Sequence, residues 1–207
     1  MQITPRVFVS AVTSDLKSAR QEVNKALVDL ECLPIEQSHF GTQYGKVRNV
    51  LRKQIASCQA IVHLVGRDFG GEPSISATPR RSWTQIEYDF ALELGKQVYV
   101  VVCDEGFPFD RTSPPEPPSK AALQAEHRKQ VLSGDHLWYM VNDTQELKDC
   151  LLRLRLPLDI VRRKLGRQQL LLRLLIGAAA AAIVLAVSSF RTAVDDAVVD
   201  VRDSVEN

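Results

Sequence analysis

The chain has 207 residues, 45% of them apolar and 25% charged, with 26 basic and 25 acidic side chains and a formal net charge of +1. That balance excludes a global basic excess aimed at polyanions, and the length allows one domain with a real core and a short appendage. Cys32, Cys58, Cys103 and Cys150 form no CxxC or metal-type spacing, and His39, His63, His127 and His136 are equally scattered. Reduced, packed thiols are expected, and neither a disulfide framework nor a zinc site.

The periodicities alternate along the chain. Arg6–Ser10 (RVFVS) is a short apolar strand, and Asp15 to Leu30 places Leu16, Ala19, Val23, Ala26, Leu27 and Leu30 at helical spacing. Ser14 or Asp15 can cap that helix. Cys32–Glu36 can form a second strand, and Lys46–Ser57 a helix with Val47, Val50, Leu51 and Ile55 on one face. Ala60–Val65 is a third strand. Trp83–Leu94 is a helix capped by Ser82 and stopped by Gly95. Gln97–Cys103 (QVYVVVC) is a fourth strand. A long connection follows, rich in proline at Pro108, Pro114, Pro115, Pro117 and Pro118. Leu137–Val141 can be a fifth strand, and Thr144–Arg155 a last helix.

Near-continuous apolar strands alternating with helices predict an α/β fold, a flavodoxin-like five-stranded parallel sheet of order 2-1-3-4-5 over residues 1–155. In such sheets ligands bind at the carboxyl ends of the strands, where the order reverses between strands 1 and 3. The expected site is therefore the loop after Ser10, the loop after Val65 and the start of the Trp83 helix.

Beyond this domain the composition changes. Residues 156–169 form a basic juxtamembrane linker, and Leu170 to Phe190 (LLLRLLIGAAAAAIVLAVSSF) carries Arg173 as its only charge. At about 1.5 Å per residue that stretch reaches roughly 30 Å, enough to cross a bilayer. A buried or oligomer-forming helix is the alternative. Arg153, Arg155, Arg162, Arg163, Lys164, Arg167 and Arg173 precede or open the span, whereas Asp195, Asp196, Asp200, Asp203 and Glu206 follow it. The positive-inside rule then predicts a single-pass protein with a cytoplasmic N-terminal domain. The basic run suits anionic lipid, and no nucleic-acid motif accompanies it. Residues 191–207 are an acidic tail, in which Val194, Val198, Val201 and Val205 have heptad-like spacing that would favour oligomers. The tail can be the start of a further region.

No GxGxxG, Walker A or GxSxG pattern is present. RVFVSAVTSDLKSARQEV, AIVHLVGRDFGG and SWTQIEYDFALELGKQVYVVV, in that order and spacing, resemble the TIR (Toll/interleukin-1 receptor) superfamily over residues 5–155. The likeness is to TIR-like domains at the N-termini of multidomain signalling and defence ATPases. Enzymatic members carry a glutamate on the third helix, often four residues after a tryptophan, and Trp83 and Glu87 match that spacing. The resemblance implies NAD as a substrate, with no resident cofactor. Glu87 would stabilise an oxocarbenium-like ribose as nicotinamide leaves, and Trp83 would stack on a ring. After the first strand the sequence departs from the enzymatic pattern, with small polar residues (SAVTSD) where basic or aromatic ones are common. Ser10, Thr13 and backbone N–H groups can still hold phosphate at the helix N-terminus, and Arg67 can pair with a pyrophosphate. The plain alternatives are a first-turn glutamate, a packing tryptophan, a capping loop and a solvated arginine. The loop Gln37 to Gly45, with His39, Phe40 and Tyr44, occupies the position of the loop that mediates TIR–TIR contacts.

Three functions are therefore expected in competition. One is a membrane-anchored signalling or defence effector that hydrolyses NAD when clustered. The second is a non-enzymatic adaptor that associates with itself or with a partner at the bilayer, as a homo-oligomer held by the TIR-like domain and the membrane helix. The third is a nucleoside hydrolase or transferase on the same fold.

Overall fold

The structure, a computed structural model, describes residues 4–36, 44–73, 79–110 and 114–205. The elements are β1 (Arg6–Ser10), α1 (Thr13–Asp29), β2 (Leu33–Ile35), α2 (Tyr44–Ala56), β3 (Ala60–Val65), α3 (Trp83–Glu93), β4 (Gln97–Cys103), α4 (Pro118–Leu132), β5 (Leu137–Val141), α5 (Thr144–Arg153) and α6 (Arg155–Val205). The strands pair in parallel in the order β2-β1-β3-β4-β5. This is the expected α/β sheet. Residues 37–43 of the loop expected to mediate association lie outside the described residues.

Each central strand sends alternate side chains to opposite faces, and both faces are covered. Val7, Val9, Val62, Leu64, Tyr99 and Val101 pack with Leu16, Ala19, Val23 and Leu27 of α1 and Leu147, Cys150 and Leu151 of α5. Phe8, Ile61, Val65, Val98, Val100 and Val102 pack with Leu51 and Ile55 of α2, Ile86 and Phe90 of α3, and Val131 of α4. Burying each such aliphatic side chain contributes roughly 1.5–3 kcal/mol, so the sheet interior dominates stability. All four cysteines are free and buried.

Two local expectations are corrected. Neither Ser14 nor Asp15 caps α1: the helix starts at Thr13 behind Val12, which supplies no side-chain bond, and its backbone breaks at Leu16. Both side chains turn instead to the loop after β3, Ser14 Oγ donating to Asp68 (2.5 Å) and Asp15 Oδ2 accepting from the Arg67 amide (2.7 Å). The expected connection after β4 contains α4. Pro117 stands at its N-cap and Pro118 in its first turn, where proline loses no helical hydrogen bond. The inner face of α4 is Gln124, His127 and Val131, too polar to show as an apolar stripe.

The chain divides into two compact units, Met1–Arg162 and Arg163–Asn207. The first reaches beyond the expected boundary at 155: Leu158 joins its core, and Arg162 donates to the Leu30 carbonyl (2.7 Å). The second is helical through Val205. Among the described residues one helical stretch, Thr144–Ser189, is long and apolar enough to cross a membrane, with a segment of mean hydropathy 2.6 that is wholly unburied.

Candidate functional site

A cleft of about 410 Å3 lies at the carboxyl ends of β1 and β3, lined by Val12, Thr13 and Ser14 after β1, Gly70 and Gly71 after β3, Trp83 and Thr84 opening α3, and Glu116 and Lys120 from the start of α4. This is the crevice the strand order anticipates. Thr13 and Trp83 reach it. Ser10, Arg67 and Glu87 are not among its lining residues.

The cleft wall is built around Asp15. This carboxylate is 2% exposed and accepts from the amides of Arg67 (2.7 Å) and Asp68 (3.0 Å) through Oδ2. Burial pushes its pKa up to about 6 against the pull of those amides. Gly66 gives it room, because a β-carbon there would collide with Asp15 Oδ2 and come within 2.9 Å of Leu16 Cδ1. Further along the same loop, Glu116 binds two successive amides: Oε2 accepts from Phe69 (2.6 Å) and Oε1 from Gly70 (2.9 Å). Lys120 Nζ donates to the Gly70 carbonyl (2.9 Å) and lies 3.7 Å from both Glu116 and Glu72. Arg80 grips Glu72 through two nitrogens at 2.5 and 2.7 Å. Gly70 has φ +83°, and a β-carbon there would lie 3.0 Å from Val12, so this loop conformation requires glycine.

Glu87 sits elsewhere. The capping box of Ser82 and Gln85 fixes the first turn of α3 and turns Glu87 inward. It is 2% exposed and hydrogen-bonded to the fully buried Ser10. Burial raises its pKa to about 8, so it is a neutral acid at pH 7. Register sets Ser10 opposite His63, and Ser10 Oγ lies 3.0 Å from His63 Nδ1. His63 Nε2 is 2.9 Å from His127 Nε2 of α4. Burial lowers the pKa of His63 well below its ordinary value and that of His127 to about 4, so both rings are neutral. Glu87, Ser10, His63 and His127 are thus linked in one hydrogen-bonded row, in which the tautomer of each ring sets the direction of donation. Tyr88 packs its ring 5.1 Å from His63 and 5.5 Å from His127. This buried polar row lies within the layer between the sheet and α3 and α4.

Arg67 borders a second cavity, about 550 Å3, with Asp104, Glu105, Phe109, Gln124 and Arg128 at the end of β4. Its guanidinium lies 4.3 Å over the Phe109 ring and donates to the Glu105 carbonyl (2.6 Å). Among the described residues no three His, Cys, Asp or Glu side chains come together as metal ligands.

In the sequence Asp15 stands out only as a helix cap, and Glu116, Lys120, His63 and His127 belong to no functional motif. The carboxylates sit far apart in sequence from the amides they bind, and only a strand order known in three dimensions brings them together. The signal nearest to hand was the aspartate in SDL, which reads equally well as a cap. A family model described as "Domain of unknown function (DUF4062)" matches residues 6–153. No curated protein matches the chain.

Proposed function

This chain belongs to the DUF4062 family, a domain of unknown function, and on that premise we propose that it is a membrane-anchored TIR-like signalling module that acts by associating with further copies of itself at the bilayer surface. The carrying observation is edge strand β5, where Leu137, Trp138 and Met140 are each 44% exposed. An edge strand offers unpaired backbone groups, and large exposed apolar side chains mark a surface that a partner covers. Attachment to the bilayer through Leu170 to Phe190 holds copies in one plane and raises their effective concentration, so weak edge contacts suffice. The basic flank before that span supports a cytoplasmic domain.

A second reading keeps NAD hydrolysis. It is favoured by the switch-point cleft with Thr13 and Trp83 in its wall. Against it, Glu87 is buried, neutral and bonded to Ser10, so a carboxylate would reach a ribose only after α3 rearranged. A nucleoside-hydrolysing or transferring use of the same glutamate meets the same obstacle.

The test uses the full chain in lipid nanodiscs and vesicles at increasing surface density, with subunit counts read from single-molecule photobleaching. Density-dependent oligomers that disappear in Trp138→Asp/Met140→Lys, with NAD left intact, are expected. Monomers at every density would overturn self-association. Nicotinamide release that stops in Glu87→Gln would move the assignment to the hydrolase.

A further inference from the structure

We propose that the Phe69 and Gly70 amides form an oxyanion site in the switch-point cleft, that Glu116 plugs this site from within the chain, and that a phosphoryl group is the ligand that displaces it. The inference goes beyond self-association and does not rest on it.

Glu116 binds as an external anion would. Its two carboxylate oxygens take one amide each, at 2.6 and 2.9 Å, from consecutive residues. Successive backbone N–H groups converging on one acceptor form an anion nest, and a charged acceptor makes such bonds roughly twice as strong as neutral ones. The nest stands at the carboxyl end of β3, beside β1, where doubly wound sheets place their ligands. Its shape is fixed independently of Glu116: Asp15 clamps the two preceding amides, and Gly70 holds φ +83° against Val12.

The plug comes from outside the loop it fills. Glu116 lies between Pro114–Pro115 and Pro117–Pro118, in an extended, stiff segment that leads into α4. Its companion cation is Lys120, 3.7 Å away and anchored on the Gly70 carbonyl. Withdrawing Glu116 leaves two amide donors and an ammonium beside a cleft of about 410 Å3 that Gly70, Lys120 and Trp83 line. Two donors, one cation and an aromatic surface suit a phosphoryl oxyanion, either free or carried on a nucleotide.

An internal competitor lowers apparent affinity by the fraction of time the site is free. Removing it should therefore tighten binding by about tenfold or more. The probes are inorganic pyrophosphate and ADP, titrated into the full chain in detergent micelles labelled with 15N-phenylalanine and 15N-glycine. In Glu116→Ala, pyrophosphate is expected to bind about tenfold tighter than in the parent and to shift the Phe69 and Gly70 amides. Should Glu116→Ala fail to fold, Glu116→Gln, neutral but still able to accept from one amide, must show the same direction of change. ADP binding more tightly than pyrophosphate, with Trp83 fluorescence quenched in a Trp138→Phe background, supports a nucleotide source, and equal binding supports the free oxyanion. Unchanged affinity in folded Glu116 variants overturns the proposal, as do shifts confined to other amides. An equal gain in Glu72→Ala also overturns it, because a general loss of negative charge then explains the effect.

Discussion

Glu87 shows how burial decides what a side chain can do. The resemblance to enzymatic TIR domains implies a catalytic carboxylate at this position, yet its place on α3 sets it against Ser10 with 2% exposure. The raised pKa has a consequence for stability. Between its ordinary 4.5 and about 8 the folded state holds a proton that the unfolded chain has released, so stability falls as pH rises through that window. His63 and His127 act oppositely. They stay neutral when folded and gain protons when unfolded, so stability falls as pH drops below 6.5. The histidines are silent above about pH 7, and Glu87 should dominate from there to about pH 8. Urea midpoints are therefore expected to decline across that interval in the parent and to stay flat in Glu87→Gln. Glu87→Ala, which strips Ser10 of a partner, should cost about 1–3 kcal/mol at pH 7 by the same denaturation assay. A steeper pH dependence in Glu87→Gln than in the parent would contradict the buried neutral acid.

At the scale of elements, the break in α1 has a cause. Asp15 leaves the helix face to bind the loop after β3, and Asp110 restarts the helix by accepting from the Ser18 amide (2.7 Å) and hydroxyl (2.6 Å). Asp110→Ala should speed amide hydrogen exchange at Ser18 and leave Val23 and Leu27 protected. Gly66 and Asp15 are coupled across the same junction. Gly66→Ala should cost about 1–3 kcal/mol by overpacking, and much of that loss should vanish in an Asp15→Ala background. Additive losses would mean that the two do not share one space. Both features escaped a reading by periodicity. Ser14 and Asp15 look like caps because caps are the usual use of those residues, and the alternative acceptor role needs amides more than fifty positions away. Helix α4 escaped because its inner face carries Gln124 and His127, which bond to the Gly66 carbonyl and to His63 in the body of the domain.

For the whole molecule, the apolar stretch from Leu170 to Phe190 is the clearest organising feature. A helix with exposed leucine, isoleucine and valine all around suits lipid better than water. An arginine at the centre of such a span costs about 2.5–3.5 kcal/mol or more. Ala180→Arg/Val184→Arg is therefore expected to move the protein from the membrane pellet to the supernatant, and retention in the pellet would refute a bilayer span. Orientation is testable because all four native cysteines are buried. A Ser204→Cys variant should react with an impermeant maleimide on intact cells, whereas the N-terminal domain should resist added protease until lysis. The reverse pattern would overturn the proposed cytoplasmic placement of the domain.

The sequence by itself determined the alternation of strands and helices, the parallel order of the sheet and the apolar span, because these depend on local periodicity, on the cost of uncovered strands and on length. It also located the crevice, since strand order alone puts that opening at the ends of β1 and β3. Only the tertiary structure decided which side chains occupy it. Glu87 and Ser10 went inward because the pleat and the helix turn point them there, and burial makes the carboxyl neutral. Glu116 and Lys120 came to the cleft because the start of α4 and the residues before it bond to the loop after β3. Such placements follow from contacts between residues distant in the chain, which no periodicity records.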